Sequence, residues 1–237
     1  MKILAFDGTA KIASCAVFED GNILAEYSID NGLTQSELLL PMAEDILRAL
    51  KLTFKDIDAY AVSVGPGSFT GVRIGVSLVK GLAFGRNIPC IEVSTLEALA
   101  ENLNGIDGLI FPCMDARRAQ VYNAVFDSGK GGMKRLCEDR AISLEELSAE
   151  ITAISDKKVY ICGDGYGVTK KFLEQKGIMT EQTPALLINE NASSVAKVAY
   201  RKYLSGEYTT DSALSPTYLR LPQAERERLE KEKNTTK

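Results

Sequence analysis

The sequence predicts an α/β protein of two lobes, each a mixed β-sheet flanked by helices. Three observations carry this. Short apolar runs alternate with stretches of helical periodicity, the pattern of α/β architecture. Each half opens on a hairpin before its first helix, whereas a doubly wound dinucleotide domain begins its crossovers at once. The order hairpin, helix, strand occurs twice, in residues 1–105 and again in residues 106–220, with Asn104-Gly105 and Asp107-Gly108 at the boundary.

The elements follow in order. Residues 2–6, KILAF, make a buried strand that stops at Asp7-Gly8-Thr9. Residues 13–18 and 23–29 make two more, joined by the turn signal Asp20-Gly21. Leu39, Met42, Ala43, Ile46, Leu47 and Leu50 share one side of a helix over 35–50, with Ser36 as its cap. The strand 59–64 is broken by Gly65-Pro66-Gly67-Ser68. A second helix runs from Gly71 to Phe84, capped by Thr70, with Val72, Val76, Val79 and Ala83 on one stripe. A strand at 88–93 leads to a helix capped by Ser94 or Thr95. In the second half, strands at 108–113, 120–126 and 134–142 precede a helix over 143–155, where Ser143 and Glu146 form a capping box. A strand at 158–162 ends at Gly163-Asp164-Gly165, and helices follow at 168–176 and 192–204. Residues 221–237 are nearly all polar with charge of alternating sign, which reads as a frayed helix or a disordered tail.

Composition excludes several functions. Histidine is absent from the 237 residues. That removes imidazole metal ligands, a Ser-His dyad and a histidine general base. Net charge is -4, so no large basic face for nucleic acid is advertised. The five cysteines, Cys15, Cys90, Cys113, Cys137 and Cys162, contain no CxxC pair and read as reduced thiols in packing roles. Asp7 interrupts the opening apolar run too early for a signal peptide. No apolar run approaches the roughly 18 residues of a membrane span. The expected location is the cytoplasm.

Four constellations remain for chemistry. Asp7 at a strand end, with the amides of Gly8 and Thr9, suits a hydrated cation beside a phosphate, or else is a plain tight turn. The run Gly65-Pro66-Gly67-Ser68-Phe69-Thr70-Gly71 leads into a helix N-terminus. It either binds an anion there or is shaped to let the helix dock closely, and it lacks the Gly-Lys-Ser/Thr ending of a Walker A loop. Asp115-Ala116-Arg117-Arg118 follows a strand, where the arginines pair across the lobes or contact phosphate. Gly163-Asp164-Gly165 is a nucleotide-facing loop or an ordinary turn.

GPGSFTGVRIG at 65–75, VSTLEALA at 93–100, MDARRAQVY at 114–122, GDG at 163–165 and PTYLR at 216–220 together resemble the bacterial TsaB family, also called YeaZ. The resemblance covers residues 1–220. It implies an actin-like ATPase fold of the ribonuclease H-like class. It implies a non-catalytic paralogue of TsaD, the subunit that transfers threonylcarbamoyl from its adenylate to N6 of the adenosine next to the anticodon. Many relatives carry a histidine where Gln35 stands, and many have Asp-Thr-Ser where this chain has Asp7-Gly8-Thr9. The implied partners are TsaD and the ATPase TsaE, with a homodimer when the chain is alone and tRNA reached only through the complex. No cofactor of its own is implied, and ATP or ADP belongs to the complex. Asp7, Gly8, Thr9, Gly163, Asp164 and Gly165 would mark a vestigial nucleotide site. The partner surface is expected on the first two helices, at Leu39, Ala43, Ile46 and Leu50 and at Gly71, Val72, Gly75, Val76 and Val79.

The rival reading is a stand-alone phosphotransferase of the same fold using Asp7 or Asp115. The scaffold reading expects the purified chain to show no appreciable ATPase or phosphotransferase turnover. A rate above roughly 1 per second, in the ordinary enzyme range, that Asp7→Ala abolished would favour the rival.

Overall fold

The computed structural model describes residues 1–154 and 156–220. The expected polar tail at 221–237 lies outside them. The first sheet holds β1 (Lys2–Asp7), β2 (Ala13–Glu19), β3 (Asn22–Ile29), β4 (Ala59–Gly65) and β5 (Cys90–Ser94), in the order β3-β2-β1-β4-β5. The second holds β6 (Gly108–Asp115), β7 (Gln120–Gly129), β8 (Gly132–Ser143) and β9 (Val159–Cys162), in the order β8-β7-β6-β9. In each, antiparallel hairpin strands continue into parallel pairing, β1 with β4 and β6 with β9. Both sheets are therefore mixed, and the fold is the actin-like one.

The helices are α1 (Gln35–Ala49), α2 (Phe69–Ala83), α3 (Thr95–Glu101), α4 (Leu144–Thr152), α5 (Tyr166–Gln175) and α6 (Ala192–Leu204). None among the described residues is long and apolar enough to cross a membrane. Strand alternation assigns the faces. Leu4 and Phe6 of β1 point into one core with α1 and α2, while Ile3 and Ala5 point into another with α6. In the second sheet, Phe111 and Cys113 face α4 and α5, and Ile110 and Met114 face α3. Helices α3 and α6 touch each other and form the middle layer between the sheets.

The strands divide between the sheets at residues 105/106, but two helices do not. Helix α3, from the first half, covers the second sheet, and α6, from the second half, returns to cover the first. The second lobe expected at 106–220 is corrected accordingly: its last helix belongs to the first lobe's core. Apolar periodicity names a helix's buried face but not the body that buries it.

The same limit corrects the expected partner surface. Leu39, Ala43, Ile46, Val72, Val76 and Val79 are buried in the core against Phe6, Val17, Tyr60 and Val62. Gly71 and Gly75 are buried as well, and Leu50 packs half-buried at the margin. Burial of one such aliphatic side chain contributes about 1.5–3 kcal/mol. Turning the five larger ones outward would cost an amount comparable to a whole domain's stability of about 5–15 kcal/mol. These residues hold the lobe together and are not free to hold a partner.

Two glycines fix where α2 sits. A Cβ on Gly71 would stand 1.9 Å from the Gly8 carbonyl oxygen, and one on Gly67 would stand 2.5 Å from that of Thr9. The turn after β1 is thus pressed directly on the start of α2. Ser68 caps that helix by accepting from the Gly71 N–H, and its own N–H donates to the Thr9 carbonyl at 2.7 Å. Helix α1 is capped by Thr34 with Glu37 and not by Ser36, and α4 by Ser143 with Glu146.

Gly71→Ala is expected to destabilise the protein by about 1–3 kcal/mol or more, because backbone must move. Gly81→Ala on the same helix meets open space. It is expected to stabilise by roughly 0.5–1 kcal/mol. Urea midpoints of the two variants check both signs.

Candidate functional site

The two glycine turns singled out from the sequence lie at the junction of the lobes, on either side of Glu190. Asp7, at the end of β1, is 1% exposed. Its carboxylate accepts from the Thr9 N–H at 2.9 Å, the Thr9 hydroxyl at 2.8 Å and the Ser63 hydroxyl at 2.5 Å. Burial raises its pKa from the ordinary carboxylate value, and these three donors oppose the rise.

The turn itself is closed. The Thr9 carbonyl accepts from the Ser68 N–H, and the next carbonyl, that of Ala10, accepts from the Gln35 side chain at 2.8 Å. Gly8 is covered by Gln35 and Gly71. Gly163-Asp164-Gly165 is closed in the same way. The Gly163 N–H donates to Ile188, that of Asp164 to the Glu190 carboxylate, and that of Gly165 to Cys113. The Asp164 carboxylate accepts from the Asp115 N–H at 2.9 Å. An anion cradle needs amides free to turn to the ligand. The amides of Thr9 and of all three residues of the second turn are already used. A groove of about 450 Å³ opens beside Glu190, Asn102 and Ser194, but none of the six expected nucleotide-site residues lines it. Among the described residues no group of three or more Cys, Asp or Glu side chains is placed to hold a metal ion.

Glu190 was not singled out from sequence. It is 4% exposed, and burial first, then the charges of Asp7 and Asp164, push its pKa up to about 8. Its neighbour Asn191 caps α6 by accepting from the Ser194 N–H at 2.8 Å. Three polar residues in a row, Asn189-Glu190-Asn191, look like an ordinary loop. Only the return of α6 to the first sheet brings the middle one between two aspartates.

PTYLR acts as a strap across both lobes. The Thr217 N–H donates to the Val64 carbonyl at 2.8 Å, and Tyr218 stacks on Phe69 and accepts from Arg73. Arg220 donates to the Ala116 carbonyl at 3.0 Å and to the Gln120 side chain. The run Asp115-Ala116-Arg117-Arg118 forms the β6–β7 turn that this arginine grips.

A family model described as TsaD, tRNA N6-adenosine threonylcarbamoyltransferase, matches residues 34–228. The tRNA threonylcarbamoyladenosine biosynthesis protein TsaB of Bacillus subtilis (strain 168) is 32% identical over 237 residues, covering 98% of this chain and 100% of that protein. The solved structure of YeaZ from Pseudomonas aeruginosa is 25% identical with a TM-score of 0.76, covering 92% of this chain and 99% of that one. Component A of the (R)-2-hydroxyglutaryl-CoA dehydratase of Acidaminococcus fermentans is similar in fold alone, at 13% identity and a TM-score of 0.50, covering 86% of this chain and 99% of that one.

The raised Glu190 pKa fixes a sign. Unfolded, this carboxyl titrates near 4.3. Between there and about 8 the folded chain holds a proton that the unfolded chain has released. Stability is therefore fullest below that window and falls as pH rises through it, by at most about 1.4 kcal/mol per pH unit. Glu190→Gln keeps an acceptor for Asp164 and is expected to flatten this slope, matching wild type at pH 5 and exceeding it at pH 8.5. Equal slopes in urea titrations across that range would contradict the assignment.

Proposed function

We propose a function from one premise: the chain belongs to the TsaB family of tRNA threonylcarbamoyladenosine biosynthesis proteins, bacterial paralogues of TsaD. Its role is therefore in the threonylcarbamoyladenosine modification of tRNA. The finer reading is that the chain is a non-catalytic scaffold. In this reading it pairs with TsaD, which transfers threonylcarbamoyl from threonylcarbamoyl-AMP to N6 of the adenosine beside the anticodon. TsaE joins the pair, ATP or ADP is bound at the level of the complex, and tRNA is engaged through it.

The closed turn at Asp7-Gly8-Thr9 carries this reading. The Thr9 carbonyl and amide and the Ala10 carbonyl that follows are held by the chain itself, and Asp7 is covered by Ser63 and Thr9. A phosphotransferase needs that turn open to its nucleotide. With no histidine in the sequence, a histidine-held metal centre has no ligands either. The rival phosphotransferase reading gains support from neither observation.

The partner surface in this reading stays on α1 and α2 but moves to their outward faces. Leu40 is 38% exposed on α1 and is followed by exposed Pro41. Phe84, at the end of α2, is 79% exposed, and half-buried Ile74 and Leu78 lie on that helix. Two helices from each chain would give a four-helix contact with an apolar centre. A second copy would use the same faces, so homodimer and heterodimer exclude each other.

Leu40→Asp and Phe84→Asp both sit on the surface and are expected to leave the melting temperature nearly unchanged. Each is expected to weaken TsaD binding and self-association by about tenfold or more, the loss of roughly 1.4 kcal/mol. Binding is measured by calorimetry and self-association by sedimentation. Reconstituted tRNA modification is expected to fail when the chain is left out. Wild-type affinity in both variants would move the surface elsewhere, and modification without the chain would sink the scaffold reading.

A further inference from the structure

The β6–β7 turn holds an arrangement that the scaffold reading does not use. Arg117, Arg118 and Ala119 are three consecutive residues in the left-handed region, at φ 61°, 55° and 55°. Residues with a Cβ adopt it at a cost, and rarely in succession. The turn is held there from several sides. The Asp115 carboxylate accepts from the Arg117 N–H at 2.7 Å, and the Ala119 carbonyl accepts from the Leu144 N–H at 3.0 Å. The Ala116 N–H donates to the Gln120 carbonyl at 3.0 Å, the Gln120 N–H donates to the Arg117 carbonyl at 3.2 Å, and Arg220 grips Ala116 and Gln120.

What this frame presents is two guanidinium groups. Arg117 and Arg118 are both exposed. Among the described residues neither side chain has an ion-pair or hydrogen-bond partner, although Arg135, Arg140 and Arg201 each hold a carboxylate. Lys11, exposed on the turn after β1, acts on Asp164, whose carboxylate accepts from the Asp115 N–H at the start of the β6–β7 turn. A rigid turn bearing adjacent arginines, with no carboxylate partner among the described residues, has the chemistry of a phosphate contact: planar forks that each fit two phosphate oxygens.

We infer that Arg117 and Arg118, held on this turn, bind the phosphodiester backbone of the RNA on which the assembled complex acts. The inference rests on the proposed role in a tRNA-modifying complex, which supplies the polyanion. RNA is favoured over an acidic protein because a phosphate backbone takes adjacent charges without needing complementary side chains. Such contacts position the nucleic acid and read no sequence. Two arginines on a chain of net charge -4 give little affinity alone, so the contact matters once a partner also holds the RNA. The turn belongs to the second sheet, whereas α1 and α2 cover the first, so the two surfaces do not compete.

The test is the double variant Arg117→Ala/Arg118→Ala in the complex with TsaD. Ala119 shows that alanine is accommodated in this turn, so the melting temperature should hold. Transfer RNA binding is titrated over a range of salt concentrations. The expected result is weaker binding to every tRNA tried, with the slope of log K against log salt reduced by roughly 1.4–1.8. A variant complex that forms normally and keeps the wild-type slope would overturn the inference. So would a variant that loses TsaD, since the arginines would then be a protein contact. If the wild-type chain fails to bind TsaD, the scaffold reading falls and the inference with it. The first two outcomes leave that reading standing.

Discussion

The first lobe is organised around a contact between two stretches of backbone. The turn after β1 lies so close to the start of α2 that residue 71 has no room for a side chain, and the Gly8 carbonyl occupies the place of its Cβ. A helix N-terminus carries a partial positive charge and unpaired N–H groups. Elsewhere that end of a helix recruits an anionic ligand. Here the Gly71 N–H donates to the Ser68 hydroxyl, and the Ser68 N–H donates to the Thr9 carbonyl. The contact that seats α2 on the sheet thus also draws the turn after β1 against the start of that helix.

That contact explains why the glycine-rich run could be read two ways from sequence. A loop of small residues entering a helix is the same string whether a phosphate or another loop fills it. The partner lies about sixty residues earlier, and no local pattern names it. Strands and helices were legible because their periods are local, and so was the Ser143–Glu146 cap. Ser68 and Thr34 replaced the caps expected at Thr70 and Ser36. A cap must stand in extended backbone just before the first turn, and the flanking residues offer several hydroxyls within reach. The apolar stripes of α1 and α2 were legible as stripes, but not whether the protein's own sheet or a partner covers them. Glu190 was illegible because its meaning comes from the return of α6.

Polar groups do much of the joining of the lobes. Glu190 receives the Asp164 N–H, Arg201 pairs with the nearly buried Glu101 at 2.7 Å, and the Asn102 side chain bridges α3 to the segment before α6. The PTYLR strap adds an aromatic stack on one lobe and an arginine grip on the other. Polar ties of this kind are directional, and they fix the relative placement of two sheets that meet through a thin helical layer.

The crossing of α6 also sets a timetable for synthesis. The strands of the first sheet are complete once residue 94 has been made, yet Ile3, Ala5, Ala16, Phe18, Ala61 and Ile91 have only Ala98 of α3 beside them until residues 192–204 bring the rest of their cover. At ordinary elongation rates that interval is on the order of 5–20 s. Throughout it, most of one side of a five-stranded sheet is uncovered hydrocarbon. The core on this side of the first sheet cannot be completed before α6 has been made. A ribosome that stalls or terminates between the lobes would release a sticky half-protein.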